Sequence, residues 1–134
     1  MSAEYGISVA VGFVSVLMCL VAQLRRYIEV DPEVARKMVH VGSGLMAMAL
    51  PWIFTSATPV LVACAICAAL VAVCGHTTLL PARLKQVLGG VERRAGGEYY
   101  FPLAIAILFP LSRGDLALYV IPVAILSFAD TAAA

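Results

Sequence analysis

Long apolar runs broken by short polar ones set the plan of this chain. The first run, 6–24, is long enough to cross a hydrocarbon core. It follows Glu4 rather than a basic segment, and no small-x-small cleavage site comes after it. A retained first span is therefore expected rather than a removed signal peptide. Arg25 and Arg26 stop it, with Tyr27 as an interfacial anchor. Asp31 then offers an N-cap and Pro32 suits the first helical position. This second helix is expected to continue through Leu50, punctuated by Pro51 and Trp52, with its apolar part at 38–54. Residues 55–58 make a turn, and 59–74, rich in Ala, Val and Cys, form a third span suited to close packing.

The longest polar interval is 75–98. Within it, 81–88 places Leu84, Val87 and Leu88 on one side, the pattern of a short interfacial amphipathic helix ended by Gly89 and Gly90. Residues 99–111 are apolar but give only roughly 20 Å of helix against a core of about 30 Å. They also carry Pro102 and Pro110. They form either a short span or a re-entrant segment; we favour the short span, paired as a hairpin through Ser112-Arg113-Gly114-Asp115, with a last span at 116–134. The expectation is one all-α domain, a polytopic membrane bundle of about five spans plus the interfacial helix.

Composition agrees: 63% of residues are hydrophobic and mean hydropathy is +0.99. A net charge of +1 gives no basic surface for nucleic acid. Cys19, Cys64, Cys67 and Cys74 fall in apolar runs and read as buried small residues. The Cys64–Cys67 spacing has no partner cluster of the kind zinc needs.

Charge placement is more telling. Arg25, Arg26, Arg36, Lys37, Arg83, Lys85, Arg93 and Arg94 lie in the first and third connections, and only Arg113 lies elsewhere. The positive-inside rule then puts both connections in the cytoplasm and the N-terminus outside. Arg36, Lys37, His40, the 93–98 loop and Asp130 converge on that face.

On the second helix Glu33, Arg36, Lys37, His40 and Gly44 share one side, and Gly42 and Gly44 leave room for a helix or a ligand. Arg36 or Lys37 alone would read as a snorkelling anchor. Asp130 near the end of an apolar helix either pairs with a facing arginine or binds a ligand. Two carboxylates, Asp130 and Glu98, with basic groups around them can hold Mg²⁺ and phosphates. Gly96-Gly97 lets backbone N–H groups approach a phosphate, and His40 can take the proton of an alcohol. This set suits phosphoryl or nucleotidyl transfer onto a lipid.

The motifs Glu33-x-x-Arg36-Lys37-x-x-His40-x-x-Ser43-Gly44, Arg94-x-x-Gly97-Glu98-x-Tyr100-x-Pro102-Leu103 and Ser127-Phe128-x-Asp130-x-x-Ala133 occur in that order. Together they resemble the CTP-dependent lipid kinases, the family of dolichol kinase, phytol kinase and the yeast-type diacylglycerol kinase. That resemblance implies a multi-pass enzyme phosphorylating a lipid alcohol from CTP, with Mg²⁺, at the cytoplasmic face. It implies catalytic roles for Asp130, His40 and Glu98, with Asp130 and Glu98 also holding metal. Nucleotide or phosphate contacts would come from Arg36, Lys37, Arg93, Arg94, Gly97, Thr131 and Ala133. Family members continue with further glycines, a lysine-containing loop and extra helices, so the chain is expected to lack C-terminal family elements and to be inactive for that reason if so. The alternatives are phosphatidate cytidylyltransferase-like nucleotidyl transfer, or a non-catalytic membrane subunit using Asp130 and His40 as an ion relay.

Overall fold

A computed structural model describes residues 2–76 and 97–133. For 74–76, 97–98, 130 and 133 it describes only the backbone course. The expected amphipathic helix at 81–88 and the arginines Arg93 and Arg94 lie outside the described residues.

The described chain is all-helical: α1 (Ala3–Tyr27), α2 (Pro32–Ile53), α3 (Ala57–His76), α4 (Gly97–Leu111) and α5 (Leu116–Ala133). Among these residues one helix, Ala3–Tyr27, is long and apolar enough to cross a membrane. Ala57–Val73, Tyr99–Leu111 and Leu116–Ala129 are shorter apolar helices. Asp31 caps α2 as expected, its Oδ1 accepting from the Glu33 N–H at 2.8 Å. Asp115, which the sequence reading treated only as part of a turn, caps α5 by accepting from the Ala117 and Leu118 N–H groups at 2.9 and 3.2 Å. Between α4 and α5, Arg113 and Gly114 take positive φ values of 50° and 85° to reverse the chain.

Two features differ from expectation. The turn after α2 is shorter, because α3 already begins at Ala57. The two helices flanking the 112–115 turn are not a tightly paired hairpin: α4 packs chiefly on α3 and α5 chiefly on α2, and they touch each other sparsely. Helix α2 runs on past Pro51 to Ile53, within the expected apolar span 38–54.

What lets α2 pass Pro51 lies on α5. Proline has no N–H, so the carbonyl four residues earlier, that of Ala47, loses its helical donor. The buried Tyr119 hydroxyl donates to that carbonyl at 2.8 Å. Helix α2 thus passes a proline without a bare carbonyl in an apolar interior. Nearby, a Cβ on Gly44 would overlap the Ser127 hydroxyl and stand 2.5 Å from the Ser127 Cβ, so the two helices meet at near-backbone distance. A Cβ on Gly42 would meet only the end of the Leu17 side chain on α1. Both glycines therefore make room for helices, on opposite sides of α2.

Small residues line the inside: Ala10, Ala35, Ala47, Ala63 and Ser127 are buried. Large apolar ones face outward at helical spacing, as Val9, Phe13, Val16 and Leu20 do on α1. Val62, Ile66 and Val73 do the same on α3, Leu103, Ile107 and Leu111 on α4, and Leu118, Ile121, Ile125 and Phe128 on α5. Cys19 is on the outer face rather than buried, while Cys64 and Cys67 are half-buried; all three are free thiols.

The Pro51–Tyr119 relation makes a testable pair. Tyr119→Phe leaves the Ala47 carbonyl unmet and should cost about 1–3 kcal/mol. Pro51→Ala in that background restores an N–H within α2 and should recover most of the loss. Reversible unfolding in detergent for the two single variants and the double variant measures the coupling; additive losses would contradict the assignment.

Candidate functional site

The end of the bundle that carries the α2 N-terminus also gathers the C-terminal ends of α1, α3 and α5 and the start of α4. A cavity of about 390 Å³ begins there and runs inward. Arg36, Lys37, His40, Tyr100 and Thr131 line its polar mouth, and Ala47, Leu50, Ala63 and Ile105 its apolar depth. From Arg36 to Leu50 along α2 is about 21 Å at the rise of an α-helix. Volume and lining are those of a small-molecule site with a few polar groups at one end.

Glu33 and Arg36 form a two-pronged pair: Arg36 donates through one terminal nitrogen to Oε1 at 2.6 Å and through Nε to Oε2 at 3.2 Å. Both side chains are 47% exposed, so the pair adds little to stability but fixes where the guanidinium sits. Lys37, half-buried and on the cavity wall, makes no hydrogen bond or ion pair among the described residues. Within this mouth it is the cation with its charge uncommitted to a described acid.

His40 is half-buried and bridges two other helices. Its Nε2 lies 3.3 Å from the Leu126 carbonyl on α5. A carbonyl only accepts, so the Nε2 that meets it carries a proton. The ring also meets Phe101 of α4 edge-on, at 4.8 Å between centroids. Thr131 donates to the Ser127 carbonyl at 2.8 Å and Ser127 to that of Val123 at 2.8 Å, so both hydroxyls are tied back along α5.

Of the residues singled out from sequence, Arg36, Lys37, His40 and Thr131 come together around one mouth. Asp130 falls in the last turn of α5, and Gly97 and Glu98 in the first turn of α4, at the same end of the bundle. The side chains of Glu98, Asp130 and Ala133 lie outside the described residues, as do Arg93 and Arg94 altogether. Among the described residues no three His, Cys, Asp or Glu side chains gather as a metal site. Phe101, Leu126, Ser43 and Tyr100 were not assigned roles from sequence, yet all line the cavity. Ser43 and Tyr100 stand in the spaced motifs, which was the available signal; for Phe101 and the Leu126 carbonyl the sequence carries none. Comparison of the chain with protein families, with curated proteins and with solved structures gives no match.

The Leu126 and Phe101 contacts of His40 can be separated. His40→Phe keeps a ring against Phe101 but loses the bond to Leu126 and should cost about 0.5–1.5 kcal/mol. His40→Ala loses both and widens the cavity, and should cost about 2 kcal/mol or more. Equal stabilities for the two in detergent unfolding would mean that the Phe101 contact contributes nothing.

Proposed function

We propose that this chain is a polytopic membrane transferase that phosphorylates a lipid alcohol, with CTP as donor, at its basic end. The observation that carries this reading is the cavity: cations and a histidine at its mouth, apolar walls below, and five helices around it. A lipid alcohol has the same polarity gradient. The membrane part rests on the outward faces. Contiguous exposed apolar stripes on α1, α3, α4 and α5 are costly in water and favourable in lipid. That argument does not need each helix to pass a length criterion, since short spans are shielded by their neighbours.

In this reading the hydroxyl of the alcohol lies at His40, which takes its proton as the oxygen bonds to the γ-phosphorus of CTP. The bond from that phosphorus to the β–γ bridging oxygen breaks, and CDP leaves. The protein's part is orientation and charge compensation, the usual burden in phosphoryl transfer. Lys37 meets phosphate oxygens at the mouth, Glu33 keeps the Arg36 guanidinium in a set position beside it, and Thr131 borders the same space. Asp130 and Glu98 are the residues that would hold Mg²⁺, whose charge would offset that of the phosphates. Cytidylyl transfer to a lipid phosphate would use the same mouth, and product analysis distinguishes the two.

Topology gives the first test. With the four native cysteines replaced by alanine, a cysteine at Glu29 should be labelled only from the cytoplasmic side and one at Ser56 only from outside. Both positions are exposed. Labelling of the Glu29 position from outside would reverse the orientation.

The chemistry is tested with purified protein, mixed long-chain alcohols and labelled CTP or ATP. CTP should support transfer, and transfer from ATP alone would contradict the reading. Asp130→Asn should lower turnover about a hundredfold or more while leaving thermal stability near wild type, as expected of a group acting on the charge of the reacting centre. A variant that melts early yet turns over normally when folded would instead make Asp130 a packing partner.

A further inference from the structure

The helices around the cavity are unevenly packed. Extensive contacts join α4 to α3, α3 to α1, α1 to α2 and α2 to α5, whereas α4 and α5 touch sparsely. Among the described residues the ring has one weak seam. At its far end the turn ties the two helices together, and Phe109 meets Tyr119 edge-on at 5.4 Å beside it. At the end near the cavity mouth, the described link between them runs through a third helix. It is His40 of α2, touching Phe101 on α4 and the Leu126 carbonyl on α5.

Phe101 and Leu126 both line the cavity, so the space behind the seam is the cavity itself. Outward of it the helices carry exposed Leu103 and Ile107, and Ile121 and Ile125. Pro102, also on the cavity wall, removes a helical hydrogen bond from the beginning of α4, which makes bending there inexpensive.

We infer that the α4–α5 seam is the lateral passage through which the tail of a bilayer-resident long-chain alcohol reaches the cavity. The polarity of the cavity sets the direction. A lipid sliding sideways between α4 and α5 keeps its tail in apolar surroundings throughout, and its hydroxyl arrives at the level of His40 and Lys37 without the tail crossing water. An approach from the mouth would drag the tail past Arg36 and Lys37. His40 stands at the inner edge of this passage, so the group that meets the hydroxyl also borders the route the lipid takes. This inference rests on the membrane reading above.

The test uses the whole chain in phosphatidylcholine nanodiscs with hexadecanol carrying a diazirine in its tail, and maps labelled residues by mass spectrometry. In wild type, Phe101 and Leu126 at the seam and Met46 and Ala63 deeper in should be labelled, and unlabelled hexadecanol should suppress that labelling. The outward stripe of α1, at Phe13 and Val16, should be labelled without competition. Leu126→Trp should reduce labelling of Met46 and Ala63 several-fold while leaving the α1 stripe unchanged. Leu126→Phe, a smaller intrusion, should give an intermediate loss and keeps the test readable if the larger ring prevents folding. Deep labelling that neither variant lowers would place the passage elsewhere and overturn the inference. So would wild-type labelling confined to the outward stripes, and in that case the membrane reading would stand. Absence of label from the outward stripes too would overturn both.

Discussion

The Ala47 carbonyl binds two closely packed helices, α2 and α5, to one another. Pro51 deprives it of a helical donor, and the Tyr119 hydroxyl on α5 replaces that donor. In an apolar interior such a carbonyl cannot turn to solvent, so the bond between helices is obligatory rather than decorative. It also fixes a register. With Tyr119 at Ala47, the antiparallel course of the two helices brings Ser127 against Gly44 and the Leu126 carbonyl to His40. The position of the histidine is therefore set at both ends of one contact surface: by a polar bond at the far end and by the absence of a side chain in the middle.

Small residues set where the helices come closest. Ala, Gly and Ser face each other at those points, while Leu50, Phe54, Val60, Ile105, Tyr119 and Val123 fill the core beside them. Further large apolar side chains stay on the outside. On the membrane reading proposed above those outer groups meet lipid, where helix association depends on shape and internal hydrogen bonding. The same economy leaves a cavity. Where α4 leans on α3 and α5 on α2, the space between the two pairs is filled by neither, and the polar groups of α2 stand at its open end.

Much of this was legible in the sequence. Four of the five helices start and stop within a few residues of the hydropathy boundaries, because a polar break between apolar runs has few alternatives. The grouping of Arg36, Lys37 and His40 followed from helical spacing alone, and Thr131 from its place in a spaced motif. What could not be read was which helix meets which. Hydropathy says that α4 and α5 are adjacent in the chain, and a short turn invites a paired hairpin, but pairing depends on shape along each face. The donor that lets α2 continue past Pro51 was hidden for the same reason: it is a tyrosine whose partner lies far away in sequence. Gly44 was seen to make room, but only the structure identifies Ser127 as what fills it.

The charge arrangement at the mouth has a further consequence for what the site can accept. Arg36 is held by Glu33, so that pair is close to neutral as a unit, and among the described residues it is Lys37 that brings net positive charge to the cavity wall. One ammonium group suits the head of a lipid or a single phosphate, whereas a nucleotide triphosphate carries several negative charges and needs more compensation. The sequence supplies further cations, Arg93 and Arg94, just before the start of α4, whose first turns border the same mouth. A helix N-terminus adds partial positive charge of its own. On the proposed reading Lys37 and the cations that precede α4 share the phosphate charge, while His40 on the α2 side meets the alcohol. Sharing of that kind would account for basic residues placed in two connections far apart in the chain rather than gathered in one.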